Sequence, residues 1–279
     1  MDHRLSILVA LLLALLSSAS AGASDYGDGN ARVRLVTSID RAEAGGTFLL
    51  GVHFDIRPGW HIYWRNPGGA GLATDIQWRL PEAFAAGPIQ WPLPVYFTQS
   101  GDIPGYGYVD SVVLASEISV QQDVDEKNTV VVGAKVSWLA CRDVCVIGDA
   151  VLEGSLTTLP VDPDFASWSA DLPRPSDDSE PPFALTTRGG LADGKIDLWL
   201  QWREAPRLVE WFPDPSDTLK VDDVEVRTRG SLTRIDAVVR AMAGTNESPN
   251  ILNSLVVMSD ENGRRRGWEL DVDLKKAEH

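Results

Sequence analysis

The sequence predicts an all-β chain arranged as two sandwiches, on three observations. Apolar side chains alternate with polar ones over strand-length runs, turn-forming clusters interrupt those runs about every eight to twelve residues, and no window carries a helical period. Alternation is the signature of a strand with one face in a core, because successive side chains point to opposite faces.

Taken in order, Ala31 to Ile39 alternates through Val33, Leu35 and Ile39, and Thr47 to Ile56 does so through Phe48, Leu50, Val52 and Phe54. Further strands are expected at His61 to Trp64, Thr74 to Trp78, Ser111 to Val120, Thr129 to Trp138 and Val151 to Leu159. Arg57-Pro58-Gly59, Asn66-Pro67-Gly68-Gly69 and Asp102-Ile103-Pro104-Gly105 read as turns between them. These runs make a first unit over residues 24–160. From residue 161 to 182 the chain turns to proline, aspartate and serine, which reads as a linker or surface excursion with little to bury. A second unit over residues 183–279 carries seven expected strands: Phe183 to Thr187, Lys195 to Trp202, Arg207 to Phe212, Val224 to Thr228, Leu232 to Ala241, Ile251 to Met258 and Gly267 to Leu274. Its only cysteine or histidine is the terminal His279, so its expected role is support or docking.

Residues 1–21 have the form of a secretion signal: Arg4, an apolar core from Leu5 to Leu16, and Ala19-Ser20-Ala21 as a small-x-small cleavage site. The apolar core is shorter than the roughly 20 residues a bilayer span needs, and nothing later approaches one. The expectation is an exported protein that does not span a membrane after cleavage. In a Gram-negative source that places it in the periplasm, where cysteine pairs are oxidised unless something reduces them. A formal charge of −15 argues against nucleic acid and anionic lipid as partners.

Cys141 and Cys145 are the only cysteines, and they follow a β-type run that ends in Trp138. In an extended strand residues four apart are separated by roughly 13 Å, whereas a disulfide needs Cα atoms about 4.4–6.8 Å apart. The segment must therefore reverse if the sulfurs are to meet, with Arg142-Asp143-Val144 as the tip of a tight loop or helical turn. That geometry puts both thiols at an end of the fold, near solvent. As an inert staple such a bridge is weak, since closing about five residues removes only ~2 kcal/mol of unfolded-chain entropy. Small surface disulfides are also the labile ones that thiol exchange uses. A third reading is a soft-metal site, with Cys141, Cys145 and His61 holding Cu(I). A fourth is a plain interaction module with an incidental disulfide. There is no Walker loop, H-E-x-x-H, G-x-S-x-G or dinucleotide fingerprint, so no cofactor is expected. His61 and Tyr63 share one face of their strand.

Four motifs in order carry a resemblance: P-G-W-H-I-Y-W-R-N-P-G at 58–68, W-P-L-P at 91–94, Y-G-Y at 106–108 and W-L-A-C-R-D-V-C at 138–145. Together they resemble the amino-terminal periplasmic domain of the disulfide reductase DsbD, nearest the branch of the suppressor-of-copper-sensitivity protein B. The resemblance covers about residues 30–160. It implies that both sandwiches are immunoglobulin-like and that the chain moves reducing equivalents from a thioredoxin-like or membrane donor to periplasmic client disulfides. By position it makes Cys141 and Cys145 the redox pair, with His61, Tyr63 and Trp138 lining the site. The family covers its disulfide with a cap loop bearing an aromatic residue. Here the stretch from Tyr96 to Tyr108 corresponds, with Phe97 or Tyr106 as the covering residue. The family's membrane segment and thioredoxin-like domain are absent, which implies that separate proteins supply them. Cytochrome c biogenesis and copper tolerance are the family's associated processes. Arg142 would stabilise a thiolate and Asp143 would oppose it, so the sequence gives the thiol pKa no sign.

Overall fold

Period-two burial dominates the computed structural model, which describes residues 29–121, 130–162, 165–175, 181–242 and 250–275. The expected signal at residues 1–21 and His279 lie outside the described residues. Phe48, Leu50, Val52, Phe54 and Ile56 of β2 (Thr47–Ile56) are all 4 % exposed or less, so this one strand sends five large apolar groups into the core. Each such burial is worth roughly 1.5–3 kcal/mol. β2 lies in a sheet of order β1-β2-β8-β5, with β1 (Ala31–Thr37), β8 (Ser111–Val120) and β5 (Phe84–Gln90). The opposing sheet runs β10-β9-β3-β7-β6: β10 (Cys145–Ser155), β9 (Val131–Cys141), β3 (His61–Gly68), β7 (Ile103–Val109) and β6 (Val95–Gln99). β4 (Asp75–Arg79) also pairs with β9. Phe54 and Trp138 meet edge-on at 5.8 Å between the sheets, as the two inner faces of a sandwich do.

The second half repeats the architecture with its own core. β11 (Phe183–Gly190), β12 (Lys195–Trp202), β15 (Leu232–Ala241) and β14 (Leu219–Arg229) form one sheet. β13 (Leu208–Asp214), β16 (Ile251–Ser259) and β17 (Arg265–Asp273) form the other. Phe183, Trp202 and Trp268 pack edge-on to one another at 4.8–6.2 Å in its interior. The described residues are thus all-β apart from one helical turn, α1 (Phe165–Trp168), and the 3-10 turn after it.

Several expectations are corrected. β5, β6 and β7 occupy segments expected as loops or turns, and β3 continues through Asn66-Pro67-Gly68. Glycine and proline hid β5, β7 and the end of β3, and in β7 the reason is local. Phe97 faces Gly105 across β6 and β7, and a Cβ on Gly105 would stand 2.2 Å from the Phe97 ring. The glycine is there to let an aromatic lie flat over the strand. The linker is also not a bare excursion. Trp168 is buried, donates from Nε1 to the Val113 carbonyl at 3.0 Å, and packs with Val36, Val113 and Ala115 on the outside of the first sheet. Asp162, 5 % exposed, accepts from Arg34 and sits 3.1 Å from His53 Nδ1. Farther along, Arg174 bridges in parallel to Trp268, at the edge of β17.

The two sandwiches touch through a small set of groups. Phe212 of β13 enters the first core, edge-on to Tyr106 at 5.2 Å and to Trp64 at 6.0 Å. Arg65 is paired with Asp214 at 2.6 Å and with Glu269, and Asn66 donates to the Pro213 carbonyl. Burial raises the Asp214 carboxyl and Arg65 pulls it back. From the other side Arg265 joins Glu210 to the Pro94 carbonyl.

Trp168→Ala should cost about 3 kcal/mol, the usual figure for truncating a buried tryptophan. Denaturant unfolding would measure it, and limited proteolysis should cut first in the released linker.

Candidate functional site

Side-chain alternation along β9 decides what lies at the disulfide. Val132, Ala134, Val136, Trp138 and Ala140 face the core, so Cys141 faces outward. β9 and β10 form a hairpin whose three-residue tip is Arg142-Asp143-Val144, and its last register pair is Cys141 with Cys145. Arg142 N–H donates to the Val144 carbonyl at 3.1 Å, which makes the next pair outward the hydrogen-bonded one. The cysteines therefore occupy a non-hydrogen-bonded pair, where opposing Cα atoms come closest. Their Cα atoms are 4.1 Å apart and the sulfurs are bonded.

The reversal that the spacing required is a β-hairpin. The expectation that both sulfurs lie near solvent needs correcting: Cys145 is exposed, but Cys141 is only 2 % exposed. The difference comes from position in the sheet. Cys141 has β3 on its other side, with His61 directly across from it, whereas β10 is an edge strand.

His61, Tyr63 and Phe97 gather on this outer face. The Phe97 ring lies over the His61 ring with centroids 3.9 Å apart, and Tyr63 meets His61 edge-on at 5.3 Å. The Tyr63 hydroxyl donates to Gln99 Oε1 at 2.6 Å, and Gln99 Nε2 donates to the Ala70 carbonyl at 3.1 Å. The hairpin of β6 and β7 is thereby a cap, tied down at Gln99 and resting on His61 through Phe97. Gly71, at φ 125°, lies so close to the Tyr63 ring that a Cβ there would stand 2.4 Å from it. Gln99 was not singled out in the sequence, because a lone glutamine in a polar stretch carries no pattern. The alternation Gly105-Tyr106-Gly107 was a usable signal, since glycines facing one side of a strand leave room for a ring.

Tyr106 and Trp138 do not join this group. Tyr106 points to the opposite face, where it meets Tyr96 and Phe212. Trp138 stands in the core with Nε1 donating to the Gly29 carbonyl at 2.9 Å. Of the two residues weighed as the cover, Phe97 is the one over His61.

Electrostatics at the tip are balanced. Arg142 pairs with Asp143 at 2.9 Å, both largely exposed, and its guanidinium also lies 5.6 Å from the Trp60 ring centre. An exposed pair of this kind is worth little and leaves little net field at the sulfurs. His61 is different: burial lowers its pKa to about 4, and its Nε2 is buried with no hydrogen-bond partner. Burial also raises the Tyr63 hydroxyl. Among the described residues no group of three or more His, Cys, Asp or Glu side chains is placed to hold a metal ion.

Residues 34–156 match the family model described as thiol:disulfide interchange protein DsbD, N-terminal. The crystal structure of the N-terminal periplasmic domain of ScsB from Proteus mirabilis superposes with a TM-score of 0.66 at 21 % identity. That match covers 88 % of this chain and 94 % of that one. At this identity the likeness is one of fold, and it extends over both sandwiches. No curated protein matches the chain.

Two outcomes follow. Below the ordinary histidine pKa of 6.5 an unfolded His61 takes a proton that the folded one refuses until about pH 4. The unfolded state binds more protons in that window, so His61 makes stability fall as pH drops from about 6.5 toward about 4. His61→Tyr should flatten that part of the stability curve, measured by denaturant unfolding across the window. Phe97→Ala should speed reduction of the disulfide by dithiothreitol while leaving the unfolding midpoint within about 1 kcal/mol.

Proposed function

We propose, from the membership of residues 34–156 in the DsbD N-terminal domain family, that this chain is a periplasmic thiol–disulfide exchange protein. In this reading Cys141 and Cys145 accept reducing equivalents from a thioredoxin-like or membrane donor and pass them to client disulfides. The periplasmic location draws on the ScsB domain, which is named as periplasmic. No helix among the described residues is long and apolar enough to cross a membrane.

One observation supports the direction of attack: the two cysteines differ in exposure, Cys145 being exposed and Cys141 buried, which favours the Cys145 sulfur as the reachable one. Exchange needs an incoming thiolate to reach one sulfur in line with the bond it breaks. In the oxidised protein a donor thiolate attacks the Cys145 sulfur, the bond to Cys141 breaks, and the Cys141 sulfur leaves with the electron pair and takes up a proton. The donor's second thiolate then attacks its own sulfur in the mixed disulfide. The donor leaves oxidised, and this chain holds two thiols after gaining two electrons and two protons. Toward a client the steps reverse. The Cys145 thiolate attacks the client disulfide, and Cys141 resolves the mixed disulfide and releases a reduced client.

The surroundings support this division of labour. Val144 is 63 % exposed and Ile147 71 % exposed, so apolar surface flanks the reachable sulfur, where a partner's face can dock. The cap supports a covered site, since Phe97 rests on His61, which pairs with Cys141, and its strand is tied at Gln99 to Tyr63 and the Ala70 carbonyl.

Single-cysteine variants test the reading. Cys141→Ser should leave a Cys145 thiol that reacts quickly with an aromatic disulfide reagent and accumulates a mixed disulfide with an oxidised thioredoxin-type protein. Cys145→Ser should react slowly, because its remaining thiol is the buried one. Equal rates, or no mixed disulfide from either variant, would remove the basis for an exchange role through Cys145.

A further inference from the structure

A cleft of about 960 Å³ lies between the cap hairpin and the second sandwich, away from the disulfide. Tyr96, Asp102 and Tyr106 contribute one wall. The other wall is made by runs of neighbours, residues 208–211 of β13 and 219–224 of β14. Neighbouring residues of a strand point to opposite faces. A wall built from unbroken runs is therefore a pair of strand edges rather than a sheet face. β13 and β14 are each the last strand of their sheet.

The free edge of β14 can be assigned atom by atom. Met242 N–H donates to the Thr218 carbonyl at 2.8 Å, and the register continues through Lys220 with Arg240 and Asp222 with Val238. In an antiparallel ladder the hydrogen-bonded pairs alternate. The even-numbered residues of this stretch thus turn their N–H and C=O groups to β15, and Val221 turns its pair outward to the cleft. Beyond Asp222 a bulge breaks the register, with Asp223 at φ 50°. Bulges of this kind limit how far a strange strand can pair with an edge. A short open stretch remains.

Charge narrows the occupant. Lys220 and Arg240 are both paired with Asp222, and Glu210 is paired with Arg265. Asp102 on the cap wall and Asp223 on the β14 wall are exposed and have no ion-pair partner among the described residues. Asp102, Glu210, Asp222 and Asp223 outnumber Lys220 and Arg240 along the lining, so the cleft is acidic on balance around its apolar and aromatic residues, in a chain of net charge −15.

We infer that this cleft docks a short extended segment of a redox partner, which adds as a strand to the open edge at Val221, places cationic side chains toward Asp102 and Asp223, and lays an aromatic or aliphatic residue against Tyr96. Edge addition supplies main-chain hydrogen bonds for affinity, and side-chain pockets supply selectivity. Tyr96 precedes Phe97, and the two side chains lie on opposite faces of the same cap strand. A segment seated here touches the back of the hairpin whose front rests on His61. Assigning the occupant to a redox partner rests on the exchange function proposed above.

The probe is a fluorescein-labelled Lys-Val-Tyr-Val-Lys peptide, and the readout is anisotropy with the full chain at low salt. The wild-type protein should bind it, and the acidic analogue Glu-Val-Tyr-Val-Glu should bind at least about tenfold more weakly. Val221→Pro removes an N–H that the fold leaves unused and should abolish binding; it also takes away a side chain packed against the second core, so unfolding is measured beside it and the surface carboxylate pair keeps the test independent of stability. Asp102→Asn with Asp223→Asn keeps residues that tolerate positive φ and should weaken binding and flatten its salt dependence. The inference is overturned if wild type fails to bind the cationic peptide at millimolar concentration, if the acidic peptide binds equally well, or if both variants bind like wild type. Reduction by dithiothreitol should be the same in all of these proteins, and Cys141→Ser with Cys145→Ser should still bind the peptide. Loss of binding with the cysteines alone would show that the peptide reports the disulfide and not the groove, and would also overturn it.

Discussion

The site depends on one constraint, the two-residue period of β9. Even-numbered side chains from Val132 to Ala140 fill the first core, so Cys141 has to emerge on the other side of the sheet. The same parity on β3 puts Ile62 and Trp64 inward and His61 and Tyr63 outward. The register that sets His61 opposite Cys141 then brings histidine, tyrosine and sulfur together on one outer surface. A slip of one residue in either strand would exchange every one of these positions with a core residue. The large apolar side chains of the core thus enforce the register on which the site rests.

A second consequence of strand order is the inequality of the two sulfurs. Both belong to one hairpin end, and they differ because β9 is an inner strand and β10 an edge. The inner sulfur is screened by a neighbouring strand and the edge sulfur is not. A disulfide that bridged two inner strands would have no reachable sulfur, and one across two edges would have no protected one. The asymmetry that exchange chemistry needs is thus a property of sheet topology rather than of any residue near the cysteines.

The second sandwich has a physical role that its lack of reactive side chains left open. Phe212 completes the first core beside Tyr106 and Trp64, while Arg65, Asn66 and Pro94 are held from β13 and β17. Those grips fall on the end of β3 and at the start of β6, the strands that carry His61, Tyr63 and Phe97. Leu93 is accommodated against Gly267, where a Cβ would stand 2.4 Å from its methyl group. The W-P-L-P stretch also hydrogen-bonds to Tyr108 through Pro92 and to Asp171 of the linker through Leu93. First sandwich, linker and second sandwich therefore meet at one short segment, which explains why proline-rich sequence there is ordered.

The amino-acid sequence by itself determined the all-β class, most of the strands, the need for Cys141 and Cys145 to sit on a reversal, and the sharing of a face by His61 and Tyr63. All of these follow from period two and chain reach, which are local properties. It did not disclose β5, β6 or β7: the glycines and prolines of β5 and β7 look like turns until the ring of Phe97 is seen lying over Gly105, and β6 is a five-residue strand between them. Nor did it separate Phe97 from Tyr106, or place Trp138 in the core rather than at the site, because the face a strand turns inward is chosen by its partners. Which sulfur is reachable, that Trp168 and Asp162 moor the linker, and that two strand edges meet the cap in a cleft were decided only when distant segments packed. Those facts depend on neighbours more than a hundred residues away in some cases, as with Asp162 and Arg34. No local pattern encodes such a neighbour.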